Sequence, residues 1–93
     1  MSKIRVPTPL RPYTDGQGRL EVDAGTVGAA LLELTTQFPS VRPHLYNDDG
    51  ELRPYVNLFV NDEDVRALEG EQTAIHEGDT LMILPSIAGG NFA

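Results

Sequence analysis

The sequence contains no cysteine and no tryptophan, a single lysine, two histidines, and no apolar run approaching membrane-spanning length. Each shortage excludes something. Without cysteine there is neither a disulfide framework nor a thiolate metal site. With no signal-type stretch after Met1-Ser2-Lys3-Ile4-Arg5 and no segment of about 18 apolar residues, a soluble, cytoplasmic protein with no membrane partner is expected. Basic residues are scarce as well: 7 Lys and Arg stand against 14 Asp and Glu, a net charge of −7. Phosphate contacts require clustered cations, so nucleic acid is not an expected partner. His44 and His76 lack companions at ligand spacing, and no metal site is expected. Asp62-Glu63-Asp64 matches only a fragment of a calcium loop, and Gly16-Gln17-Gly18 lacks the third glycine and following helix of a dinucleotide fingerprint. No nucleophile–base set is visible.

What is present fits one small domain over residues 1–93. Ten of its acids fall between Asp48 and Asp79, against only Arg53 and Arg66. That asymmetry reads either as a solvated face or as steering toward basic partner surfaces. From Lys3 to Leu10 the pattern alternates loosely, with Ile4 and Val6 on one side and Lys3 and Arg5 on the other, predicting a strand limited by Pro7 and Pro9. Turn residues from Tyr13 to Gly18 and a short strand Arg19–Val22 complete a hairpin. Val27, Leu31, Leu34 and Phe38, with Ala30, then form one apolar stripe on a helix, capped by Thr26 and stopped before Pro39. Residues 40–53 read as loop or short helical turn. Strand pattern returns from Tyr55 to Val60, followed by a turn at Asn61–Asp64, a return strand beginning at Val65-Arg66, and irregular chain to Ile75.

The end of the chain organises the rest. Gly78-Asp79 introduces a strand, Thr80–Leu84, apolar on both faces and therefore expected inside the sheet. Pro85 lacks an N–H and ends the ladder. Ser86 to Gly90 then extend as a tail of about 17 Å at ~3.3–3.6 Å per residue. Its two glycines are suited to a slot too narrow for other residues. Frayed terminal tails without function have the same composition, and the tail alone does not decide between them. Hairpin, helix and two or three further strands are satisfied by an α+β, β-grasp (ubiquitin-like) fold. It has a mixed sheet of four or five strands, one main helix across one face, and the first and last strands as central parallel neighbours. Phe59 then points opposite to Val56, Leu58 and Val60. With Met82 and Leu84 it is expected to form an apolar partner surface, unless the segment from Val41 to Leu52 covers that side.

The stretch from Tyr55 to Gly90 resembles the C-terminal half of the ubiquitin-like sulfur carriers. These include the thiamine-pathway carrier, the small subunit of molybdopterin synthase and the cysteine-biosynthesis carrier of actinobacteria. Val56-Asn57 through Val60-Asn61-Asp62-Glu63-Asp64-Val65-Arg66, Leu10-Arg11-Pro12, and Ile83-Leu84-Pro85 through Ala88-Gly89-Gly90 are most similar to the last. The resemblance implies a folded core over 1–85 and a flexible tail over 86–90. An E1-like enzyme using ATP and Mg²⁺ adenylates the carboxylate of Gly90, and a sulfur donor displaces AMP to leave a thiocarboxylate. Gly89, Ala88 and Ile87 lie in the partner's approach groove. The acceptor it implies is a PLP-dependent cysteine synthase, and the carrier itself catalyses nothing. Carriers for molybdopterin, thiamine or a specialised metabolite are alternatives, as are a protein modifier joined through Gly90 and an interaction module with an inert tail.

One departure bears on all of these. Asn91-Phe92-Ala93 follow the diglycine, so Gly90 has no free carboxylate while they remain. Cleavage between Gly90 and Asn91, by a JAMM-type metallopeptidase, is what the resemblance implies for a working carrier.

Overall fold

A computed structural model describes residues 1–54 and 56–85. Strand β1 (Ser2–Arg5) pairs antiparallel with β2 (Arg19–Val22), and β3 (Val56–Val60) pairs antiparallel with the two-residue β4 (Glu63–Asp64). Strand β5 (Thr80–Pro85) joins the two pairs, parallel to β1 and antiparallel to β3, giving the order β2-β1-β5-β3-β4. The last strand is therefore the centre of the sheet, as its apolar run on both faces predicts.

Helix α1 (Val27–Gln37) lies across one face. Thr26 caps it, its side-chain oxygen accepting a hydrogen bond from the Ala29 N–H at 3.2 Å. Val27, Ala30, Leu31 and Leu34 are buried against Ile4, Leu20, Val22, Leu58, Leu81 and Ile83 of the sheet. After Pro39 the chain makes a 3-10 turn and a short helix α2 (Arg42–Leu45). Val41, Leu45 and Tyr46 are buried in the same core, with Leu52 packed against it. The segment from Val41 to Leu52 thus closes the inner side of the sheet, and among the described residues nothing covers the outer side. This mixed five-stranded sheet with one main helix packed on it is the β-grasp arrangement.

Two local expectations are corrected. The extended pattern from Lys3 to Leu10 stops at Arg5, and Thr8–Tyr13 is a 3-10 helix that buries Leu10. Two prolines without N–H groups cannot continue a ladder but fit the start of a helical turn. The return strand comes earlier than Val65-Arg66, at Glu63–Asp64. Asn61 and Asp62 turn the chain in two residues with φ of 49° and 74°, so pairing resumes at once with Glu63 opposite Val60. Asp64 then caps a 3-10 helix, Val65–Ala67, which turns Val65 into the core. The expected strand residue Tyr55 and the tail from Ser86 onward lie outside the described residues. Among the described residues no helix is long and apolar enough to cross a membrane.

Candidate functional site

Because β5 lies between β1 and β3, its direction is held from both sides. At its start Asn61 makes three ties: its N–H donates to Thr80 O (3.1 Å), its Oδ1 accepts from Thr80 N–H (3.1 Å), and its Nδ2 donates to Asp79 Oδ1 (2.8 Å). Asp79 also accepts the His76 N–H at 2.8 Å. That backbone N–H first, and the Asn61 amide second, hold the Asp79 carboxyl below its ordinary value of 3.8. At its far end β5 outruns β1, which last pairs with it at Met82, while β3 continues alongside to Pro85. Beside that end a shallow groove of about 160 Å³ opens between Arg5, Pro7, Arg11, Met82 and Leu84. The strand that leads into the diglycine tail therefore leaves from the centre of the sheet. Gly90, Gly89, Ala88, Ile87 and the junction with Asn91 themselves lie outside the described residues.

Alternation along the strands decides which residues share the outer face. Buried Ile4, Leu20, Leu58, Leu81 and Ile83 alternate with exposed Lys3, Arg5 and Arg19, half-buried Phe59 and Met82, and exposed Leu84. The register aligns Arg19, Arg5, Met82, Phe59 and Asp64 as successive direct partners, one residue from each of the five strands. Directly opposite side chains stand roughly 4.5–5.5 Å apart at Cβ, so this is one continuous row. Leu84 is the partner of Asn57 one step along. Phe59 is thus on the outer side, as the alternation predicts, and the register brings Met82 and Leu84 to the same side.

At the β4 end of the row the polar groups satisfy one another. The Arg66 guanidinium donates to Asn57 Oδ1 and forms an ion pair with Asp64 at 3.4 Å, while Asp64 Oδ1 accepts the Arg66 backbone N–H at 2.8 Å. That backbone bond, with the side-chain bond second, lowers the Asp64 pKa from 3.8. At the β2 end Lys3, Arg5 and Arg19 border a broad open bay of about 410 Å³ with Asn61, Asp62, Thr80 and Met82. Sequence alternation places Lys3 and Arg5 outward, but the pairing of Arg5 with Arg19 comes only from the register.

Elsewhere the ionisable groups have structural settings. His44 stacks on Tyr13 with ring centroids 4.1 Å apart. The Tyr46 hydroxyl donates to Glu71 at 3.3 Å, and burial, then the Glu71 charge, pushes its pKa up to about 12. No cluster of three His, Asp or Glu suited to a metal ion occurs among the described residues.

Comparison with known proteins bears on what such a surface is for. The sequence pattern of the ThiS family matches residues 4–90. The sulfur carrier protein CysO of Mycobacterium tuberculosis is 40% identical over 89 residues, covering 94% of this chain and 96% of that protein. Small archaeal modifier protein 3 of Haloferax volcanii is 37% identical over 68 residues, covering 73% of each. Among solved structures, a chain of the BexX/CysO complex of Amycolatopsis orientalis superposes with a TM-score of 0.87 at 33% identity. That match covers 97% of this chain and 100% of the other. A family match that runs through the second glycine, the identity to a sulfur carrier over nearly the whole chain and the shared fold agree: the chain belongs to the ThiS family of ubiquitin-like sulfur carriers.

Proposed function

We propose that this protein is a sulfur carrier of the CysO type, a substrate of other enzymes rather than an enzyme itself. The observation that carries the reading is a family match that reaches Gly90, on a fold whose central strand ends at Pro85, five residues before that glycine in the sequence. Removal of Asn91-Phe92-Ala93 by a JAMM-type metallopeptidase frees the Gly90 carboxylate. An E1-like enzyme then transfers AMP from ATP, with Mg²⁺, to one carboxylate oxygen, releasing pyrophosphate. A sulfur donor attacks the acyl carbon, the acyl–phosphate bond breaks, and AMP leaves behind a thiocarboxylate. Activation is needed because an ionised carboxylate is a poor electrophile, whereas AMP is a good leaving group. Gly89 and Gly90 leave the backbone slim enough for a narrow adenylation channel, with Ala88 and Ile87 at its mouth.

The acceptor we propose is a PLP-dependent cysteine synthase, the likeness to CysO favouring cysteine formation over molybdopterin or thiamine. The existence of a BexX/CysO complex supports docking onto a partner protein. The likeness to an archaeal modifier favours a second reading, attachment to other proteins through Gly90.

Intact mass separates the readings. A chain stopped at Gly90 should be adenylated by the activating enzyme of the source organism and should gain sulfur in place of oxygen, while the chain ending at Ala93 should not. In the shortened chain Gly90→Ala should melt at the same temperature but load sulfur about a hundredfold more slowly, since ~1 Å of misplacement costs that much. Equal activation of both lengths would refute the trimming step. Adducts on other proteins without thiocarboxylate would favour the modifier.

A further inference from the structure

Arg5 and Arg19 are direct cross-strand partners, and like charges placed opposite one another destabilise a strand pair. Three other cations are matched. Arg42 lies over the Tyr46 ring at 4.9 Å, Arg53 Nε donates to Pro43 O at 2.8 Å, and Arg66 pairs with Asp64. Lys3, Arg5 and Arg19, by contrast, have no side-chain hydrogen bond or ion pair among the described residues. Arg11 flanks the same end of β1, its Nε donating to Val6 O at 3.2 Å and its guanidinium against Gly18, where a Cβ would come within 2.7 Å of Cζ. Lys3, Arg5, Arg11 and Arg19 make four of the seven Lys and Arg in a chain of net charge −7. Two carboxylates are near: Glu21 stands opposite Lys3, and Asp62 borders the bay, but neither pairs with Arg5 or Arg19. The opposed arginines cost the fold stability and relieve nothing within it.

From this we infer that the outer face docks its partner in one orientation, with a cluster of partner carboxylates over Arg5 and Arg19 and an apolar partner surface over Met82 and Phe59. This rests on the carrier reading for the partner's identity, the adenylating enzyme, and adds the chemistry of the surface that receives this chain. A compact carboxylate cluster relieves the Arg5–Arg19 repulsion and is desolvated beside an apolar contact, where charge pairs are strongest. An extended polyanion such as nucleic acid would meet the acids over the rest of the molecule and be repelled. The row also has polarity: its cationic end is unmatched and its Asp64–Arg66 end is closed. A partner turned end for end would therefore place its carboxylates beside Asp64.

The test measures binding of the full chain to the source organism's adenylating enzyme at about 0.05 M and about 0.5 M salt, where screening is weak and strong respectively. Arg5→Glu/Arg19→Glu should raise Kd at least about tenfold at low salt and much less at high salt. Arg42→Glu/Arg53→Glu, the same charge change elsewhere, should leave Kd within about twofold. Phe59→Ala should raise Kd about tenfold at both salts. Equal effects of the two charge reversals, or none from Arg5→Glu/Arg19→Glu when the chain stopped at Gly90 is adenylated normally, would overturn the orientation while sparing the carrier reading. Failure of that shortened chain to be adenylated at all would overturn both. Self-association of the chain alone, abolished by Phe59→Ala in sedimentation, would assign the face to a second copy instead.

Discussion

On its inner side β5 presents Leu81 and Ile83, 0% and 1% exposed, and on its outer side Met82 and Leu84, the latter 42% exposed. Both pairs are apolar and both sit on the central strand, yet only the inner pair is enclosed by α1 and the segment from Val41 to Tyr46. Apolar area removed from water by the protein itself stabilises the fold at roughly 25 cal/mol per Å². Apolar area left beside unmatched cations contributes little until something else covers it. The same division runs along the outer row, where Arg66 is bound to Asp64 and Asn57 while Arg5 faces Arg19. Matched groups serve the fold, and unmatched ones are what a docking partner has to satisfy.

The sharpest way to break this comparison is truncation on each face. Leu81→Ala should cost about 2–5 kcal/mol, the usual range for a buried leucine, and lower the melting temperature accordingly. Phe59→Ala, on the half-buried side, should cost about 1 kcal/mol or less and leave the chain folded. Comparable losses in calorimetry would place Phe59 in the core and remove the distinction between faces. A smaller effect comes with the opposite sign. Arg5→Glu converts an opposed like pair into an opposite-charge pair across from Arg19, and should stabilise the chain by a few tenths of a kcal/mol at low salt. Denaturant midpoints at two salt concentrations would measure it, and destabilisation would show that Arg5 is already matched.

The smallest effect expected is acid dependence. The carboxyls of Asp64 and Asp79 are both held below 3.8 by backbone N–H bonds. Their contribution is present above about pH 4 and is lost as pH falls through the lower folded values. Asp79→Asn should flatten that part of the stability curve, and an unchanged slope below about pH 4 would show that the Asn61 and His76 contacts do not persist in solution.

The elements whose hydrophobic period decides them were legible from residues alone. The stripe of Val27, Leu31 and Leu34 with its Thr26 cap, the alternation of Val56, Leu58 and Val60, and the doubly apolar Thr80–Leu84 each admit one placement relative to a core. These imply the β-grasp order and the outward direction of Phe59, whereas the doubly apolar Thr80–Leu84 leaves its outward face open until the pairing with β3 puts Met82 and Leu84 beside Phe59. The diglycine was visible as composition, and its chemistry came from resemblance rather than from any periodicity. Local departures were harder to see. The strand at Glu63–Asp64 depends on two consecutive left-handed residues, Asn61 and Asp62, which no hydrophobic pattern records. The helical turn at Thr8–Tyr13 depends on where Pro7 forces the chain to leave the sheet.

What the sequence determined by itself is therefore the set of elements and the faces they bury, because period and burial are properties of neighbours along the chain. What only the tertiary structure decided is register. Arg5 and Arg19 are 14 positions apart, and Met82 is further still from both. Nothing local states that these three share a row with Phe59 and Asp64. Their alignment follows from the hydrogen-bond ladders that fix each strand against the next, and a slip of one residue in any of them would turn the row's side chains into the core.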